Sequence, residues 1–285
     1  MLPKAIAANK FSILAAVACA GFMITCTGAT AASRDAGGFE ASEIYPTKPG
    51  GREWFLNATE PRNGLLMISP AAATLYGNPD GPWQISRETG SRETGLRMYV
   101  ISPDGWRDVE MTGYVKLRSF SFDEEFAWAV RTGQHTGSNP CEGTAYYGAL
   151  SFAGEATFQK EVAHFDGGFT DKRHSNITVG PLKDRWVGIK MVAYNVEQGV
   201  KLELWVDDRV DNNWTKIAET IDDGGWSSRE GFCGRDSDHV ISETRPRVMF
   251  RVDNATFEFR DLSVREITLE PQELKCYFGA LPICL

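Results

Sequence analysis

The chain has 285 residues, 11% of them aromatic, and a formal net charge of −8. An acidic balance of this size repels polyanions on average, so nucleic acid is excluded as an expected partner and an acidic ligand would need a local basic patch.

The N-terminus reads as an export signal over residues 1–32. Lys4 and Lys10 give the positive start, Phe11 to Ile24 is apolar, and Ala29-Thr30-Ala31 before Ala32 offers a small-residue cleavage pattern. The apolar run falls short of the roughly 20 residues that a membrane-spanning helix needs, so no membrane association is expected after its removal. Lipidation at Cys26 is the minority reading, because Met23-Ile24-Thr25 lacks the Gly or Ala that normally precedes a lipidated cysteine. Loss of the two lysines takes the charge to −10, and the mature protein is expected to be secreted and extracellular. About 250 residues then remain, a length that one all-β domain commonly fills. Residues 33–50 read as a flexible lead-in, 51–268 as the domain and 269–285 as a C-terminal tail.

Along the domain, period-two alternation recurs and no segment of a dozen residues sustains helical spacing. Val109, Met111, Val115 and Leu117 share one strand face, opposite Glu110, Thr112, Tyr114 and Lys116. Phe126, Trp128 and Val130 oppose Ala127, Ala129 and Arg131, in a strand expected to run to His135. A strand from Phe158 to Phe165 would put Lys160 and His164 on one face with Phe158 and Val162. Val187, Ile189 and Met191 oppose Trp186, Lys190 and Tyr194, and Val200, Leu202, Leu204 and Val206 oppose Lys201, Glu203 and Trp205. Turn chemistry separates the runs at Pro103-Asp104-Gly105, Gly133 to Pro140, Asp166-Gly167-Gly168, Glu197-Gln198-Gly199 and Asp222-Asp223-Gly224-Gly225. The duplication Ser86-Arg87-Glu88-Thr89-Gly90/Ser91-Arg92-Glu93-Thr94-Gly95 is too short for a repeat architecture and lengthens a loop. About a dozen strands predict an all-β, two-sheet antiparallel jelly-roll sandwich, with Val109, Met111, Val115, Phe126, Trp128, Ile189, Leu202, Leu204 and Phe250 between the sheets.

Four cysteines follow the signal: Cys141, Cys233, Cys276 and Cys284. An even count without a CxxC pair in an exported chain favours disulfides over metal ligation or free thiols. Of the three connectivities, Cys141 with Cys233 and Cys276 with Cys284 is preferred, the second closing a short tail loop. Asn57, Asn176, Asn213 and Asn254 head Asn-x-Ser/Thr triplets, of which Asn213 looks most like an accessible turn.

The hairpin Arg185-Trp186-Val187-Gly188-Ile189-Lys190 through Lys201-Leu202-Glu203-Leu204-Trp205-Val206-Asp207-Asp208 resembles the paired strands of concanavalin A-like lectin and glucanase domains. The run from Phe257 to Glu266 resembles their closing strand. This resemblance covers roughly residues 50 to 268 and implies a concave sheet whose open face binds glycans, in lectins, hydrolases and polysaccharide lyases alike. Fold alone does not choose among those activities. The glucanase Glu-x-Asp-x-x-Glu strand is absent, which disfavours a two-carboxylate hydrolysis. Gln134-His135 and Ser91-Arg92-Glu93-Thr94 loosely resemble the Gln-x-His and Arg-containing strands of alginate-lyase-like jelly rolls. Adjacent Gln134 and His135 point to opposite faces of a regular strand, so both could serve only at a bulge or in a loop.

A lyase needs a group that abstracts the proton beside a uronate carboxylate and donors that neutralise that carboxylate. The candidates are Arg131, Gln134, His135, Tyr147, Lys160 and His164 for catalysis, with Tyr146, Lys190, Tyr194 and Trp186 for substrate binding. Each has a plainer reading: a salt-bridged arginine, a loop or strand histidine, a core tyrosine or tryptophan. No cofactor is expected. Asp207, Asp208, Asp211 and Asn212 offer oxygen ligands for calcium, but a solvated hairpin turn explains them more cheaply. The resulting expectation is a secreted polysaccharide-active protein cleaving a uronate-containing glycan by β-elimination. The alternative is a non-catalytic, lectin-like carbohydrate-binding protein.

Overall fold

The computed structural model describes residues 41–56, 66–69, 74–76, 83–86, 95–136, 138–165, 168–226, 233, 238–269, 276–278 and 281–283. The export signal, the first part of the lead-in, most of the duplicated pentapeptide, Asn57 and Cys284 lie outside them. Strands β1 (Glu53–Phe55), β2 (Leu66–Ser69), β3 (Thr74–Tyr76), β4 (Trp83–Ser86), β5 (Gly95–Trp106), β6 (Val109–Phe120) and β7 (Glu125–Thr132) come first. After a 3-10 turn at Pro140–Glu142 follow β8 (Ala145–Ser151), β9 (Glu155–Glu161), β10 (Arg173–Thr178), β11 (Trp186–Val196), β12 (Gly199–Asp207), β13 (Thr215–Asp222), β14 (Arg245–Asp253) and β15 (Ala255–Glu266). A hairpin of β16 (Cys276–Phe278) and β17 (Leu281–Ile283) belongs to a second compact unit. Among the described residues no helix is long and apolar enough to cross a membrane.

Two antiparallel sheets make a jelly-roll sandwich. One has eight strands, in the order β13-β12-β11-β6-β15-β4-β3 with β1 also paired to β15; the other has seven, in the order β10-β9-β8-β7-β14-β5-β2. Alternation explains why these segments pair as they do, since successive side chains point to opposite faces and each strand buries one set. Val109, Met111, Val115, Phe126, Trp128, Ile189, Leu202, Leu204 and Phe250 all lie in the core between the sheets, as their spacing predicts. Trp128 and Phe250 meet edge to face at 4.9 Å, and Trp128 Nε1 donates to the Ile189 carbonyl across the sandwich, so the buried indole N–H is satisfied.

Three local expectations are corrected. Pro103-Asp104-Gly105 does not end a strand: β5 continues to Trp106, and the register steps from Ile101 opposite Arg247 to Trp106 opposite Arg245. The extra residues form a bulge, with Gly105 at φ +72°. β7 stops at Thr132 and β9 at Glu161, so His135 and His164 sit on loops. Of the expected loose lead-in, residues 41–50 are packed on the eight-stranded sheet. Ile44 N and Tyr45 N donate to Glu110 Oε2 (3.0 and 3.3 Å), and Thr47 bridges Ile267.

Candidate functional site

The outer face of the seven-stranded sheet collects side chains in cross-strand rows. Gln159, Tyr147, Ala129, Met249 and Tyr99 form one row. Thr157, Ala149, Ala127, Arg251 and Arg97 form the next. The alanines are a floor too short to fill the face, and the long side chains of β14 and β5 lie over it. Arg247 stacks over the Tyr99 ring (5.4 Å) and Arg251 over the Tyr147 ring (5.7 Å). Arg97 and Arg251 share one carboxylate, with Arg97 Nη1 2.7 Å from Asp253 Oδ1 and Arg251 Nη2 2.6 Å from Asp253 Oδ2. Arg247 Nε has no hydrogen-bond partner. Three arginines thus meet one aspartate over these rows, on a chain that is acidic overall.

Beside these rows, at the end of β9, Glu161 gathers three donors. Its side chain is completely buried, and it accepts from Tyr147 Oη (2.6 Å) and His135 Nε2 (2.8 Å) on Oε2 and from His164 Nδ1 (2.8 Å) on Oε1. Burial pushes the Glu161 pKa up, but hydrogen bonds from the two histidines and the phenol outweigh it, and the net shift is downward. Burial, then the Glu161 charge, raises the Tyr147 phenol well above its ordinary value. The hydrogen bond to Glu161 raises His164. The histidine rings meet edge to face at 5.0 Å.

Local sequence builds this convergence. Gly133 follows β7 where a Cβ would strike the Glu142 carbonyl, so only glycine lets the chain pass there. His164 N donates to the Pro140 carbonyl (2.8 Å), which ties the β9 loop to the turn carrying Cys141. The Cys141–Cys233 disulfide is formed, as the cysteine count predicts. Its partner pairing, Cys276 with Cys284, falls partly outside the described residues.

The nominated residues do not form one site. His135, Tyr147 and His164 come together around Glu161, while Gln134 is exposed on the same loop. Arg131 was expected on the face of Ala127 and Ala129, but a bulge removes it. Arg131 has φ +51°, and Thr132 takes the register position opposite Arg247. The fully buried guanidinium donates instead to the carbonyls of Ile241 (2.7 Å) and Arg107 (3.3 Å) and to Asp108 (3.3 Å), and desolvation lowers its pKa to about 10. Lys160 and His164 do not share a face: Lys160 points between the sheets to Asp222 (2.8 Å) and the His239 carbonyl (2.9 Å). Tyr146 is buried there too, donating to Asp222 and accepting from Ile241 N (2.9 Å).

Lys190 and Tyr194 project from the outer face of the other sheet, the far side of the sandwich, and are buried. Lys190 binds Glu110 Oε1 and Thr112 Oγ1 (both 2.7 Å), and Tyr194 donates to Glu203 Oε1 (3.1 Å) beside Tyr45. Trp186, on the same strand, is half-buried under the Arg260 guanidinium (5.0 Å). The Asp207 oxygens are buried and accept from Tyr114 Oη (2.8 Å) and from the amides of Asp211 (3.1 Å) and Asn212 (2.9 Å), which closes the loop after β12.

Sequence reasoning missed Glu161, Arg97, Tyr99, Arg247 and Arg251. A signal was present for β14, where Arg247, Met249, Arg251 and Asp253 alternate with Val248, Phe250 and Val252. For Glu161 the signal was absent, because its partners come from loops.

No family model and no curated protein matches the chain. Among solved structures, a carbohydrate-binding module, CBM66 from Bacillus subtilis, is 12% identical over 70% of this chain and 95% of its own, with a TM-score of 0.41. The winged bean acidic lectin complexed with methyl-α-D-galactose is 9% identical over 77% and 100%, with a TM-score of 0.47. The VIP36 exoplasmic/lumenal domain in its Ca²⁺/Man3GlcNAc-bound form is 10% identical over 77% and 90%, with a TM-score of 0.44. The fold assignment rests on this chain's own two sheets and their strand order.

Proposed function

We propose that the protein is an extracellular, non-catalytic carbohydrate-binding protein that holds an acidic glycan on the outer face of its seven-stranded sheet. The observation that carries this reading is the cationic row above the alanine floor. Two guanidiniums share Asp253, leaving one unit of positive charge, and Arg247 adds a second beside the Tyr99 ring. A guanidinium presents a planar donor fork that matches a carboxylate or sulfate. The disulfide fits an oxidising compartment.

Binding is preferred over β-elimination because the nominated proton abstractors are already engaged. The Tyr147 phenol is buried, donates its proton to Glu161 and is pushed away from ionisation. His135 Nε2 is committed to the same carboxylate, and Arg131 is on the core side of the sheet. A general base must reach the substrate proton with a free lone pair at working pH.

Calorimetric titration with oligogalacturonate, alginate oligomers and a neutral glucan tests the reading. Binding to a uronate oligomer is expected, weakening as salt rises. Arg247→Ala should weaken it about tenfold or more, the scale of a charged hydrogen bond of ~1.5 kcal/mol. Equal affinity for the neutral glucan, or an unaffected Arg247→Ala variant, would overturn the acidic-ligand assignment. Accumulation of unsaturated product would replace the binding protein with a lyase.

A further inference from the structure

We propose that His135 Nε2, His164 Nδ1 and a Glu161 carboxylate oxygen form a binding site for a divalent first-row transition metal, with zinc the best-suited ion. The proposal is independent of glycan binding. One ligand atom from each residue lies within 4.8 Å of the other two. Two imidazoles and one carboxylate are a donor set that suits zinc, whereas magnesium and calcium prefer oxygen alone. The nearest cysteine on the adjoining turn, Cys141, is oxidised to Cys233 and offers no thiolate.

The three donors already converge, and the loops must bring them closer to hold an ion. Each imidazole nitrogen stands 2.8 Å from a Glu161 oxygen, because the contact is now an N–H···O hydrogen bond. The two imidazoles contact different oxygens, His164 Nδ1 on Oε1 and His135 Nε2 on Oε2. An ion replacing the protons must therefore draw His135 Nε2 toward Oε1 until the donors stand roughly 3.3 Å apart, the tetrahedral spacing at metal–ligand distances of ~2.0–2.1 Å. Both histidines sit on loops beyond their strands, where that movement breaks no sheet register. Glu161 is held at the end of β9 with Oε2 accepting from Tyr147, which leaves Oε1 as the oxygen for the ion. A phenol bound to a ligating carboxylate is the kind of outer contact that fixes a metal ligand's orientation. Three protein donors leave a tetrahedral ion one position for water or a ligand oxygen.

The test uses the full chain, stripped with chelator and dialysed to equilibrium against Zn²⁺, with bound metal measured by elemental analysis. One zinc per chain is expected, with loss in His135→Ala and His164→Ala and retention in His174→Ala, whose histidine is exposed on β10. Far-ultraviolet spectra of the metal-free variants check folding. His164 is the safer substitution because its side chain is 46% exposed. Co²⁺ in place of Zn²⁺ should give the intense visible absorption of a tetrahedral site. No zinc above the level of His164→Ala, or binding that survives in that folded variant, would overturn the proposal and leave a hydrogen-bonded His-Glu-His cluster.

Discussion

Arg131 and Arg247 belong to neighbouring strands, yet one guanidinium is sealed in protein and the other stacks on an outer aromatic ring. The difference is made by one left-handed residue. A regular strand would have sent Arg131 outward with Ala127 and Ala129, and the alternation gives no notice that φ turns positive at that residue. Removing Arg131 takes its donors from the Ile241 and Arg107 carbonyls and one of three donors from Asp108, which keeps Asn195 N and Arg107 Nε. Arg131→Ala is therefore expected to destabilise the fold by on the order of 3 kcal/mol, measured by urea denaturation. Arg247→Ala should fall within about 0.5 kcal/mol of wild type, since its Nε makes no hydrogen bond. A neutral Arg131→Ala would contradict the structural role.

Strands with strict alternation were legible because a one-residue slip would expose a whole hydrophobic set. β6, β11, β12 and β15 appear where Val109–Leu117, Trp186–Tyr194, Val200–Val206 and Phe257–Glu266 predict them. The turns at Gly133 to Pro140 and between Phe165 and Gly168 were legible, but the strands leading into them end at Thr132 and Glu161, short of the expected His135 and Phe165. Backbone contacts that side-chain pattern does not encode close the loops early. The chemistry sits at those ends, which is why Glu161 was missed while its neighbours were named. One long-range tie holds this region: Cys141 and Cys233 are 92 residues apart, and the Cys141 turn anchors the His164 backbone. Replacing both cysteines by serine should cost about 2–5 kcal/mol, read as a lower Tm. An unchanged Tm would show that the loops hold without the bridge.

At the scale of the whole molecule, the sandwich has two outer faces with different treatments. The seven-stranded sheet carries an arginine row, whereas the eight-stranded sheet buries an ion cluster under residues 41–50. There Lys190 Nζ and Arg265 Nη2 flank Glu110 Oε1 at 2.7 and 2.8 Å, while Ile44 and Tyr45 donate to Oε2. Burial raises the Glu110 pKa, but Lys190 and Arg265 more than offset it, and the folded-state value is depressed. A depressed carboxylate favours the fold fully above its unfolded pKa of about 4.3, and that contribution disappears as pH falls through the lower folded value. Glu161, also depressed, acts in the same direction. Protonating Glu110 would leave two buried cations facing a neutral acid and would weaken the acceptor that holds residues 41–50. Stability measured by urea titration should therefore be flat from neutral pH to about 5 with respect to these groups and fall steeply below about 4. Glu110→Gln should be less stable at neutral pH and lose less on acidification, because the group that takes up the proton is gone. A Gln variant with the same acid slope as wild type would show that other carboxylates drive the transition.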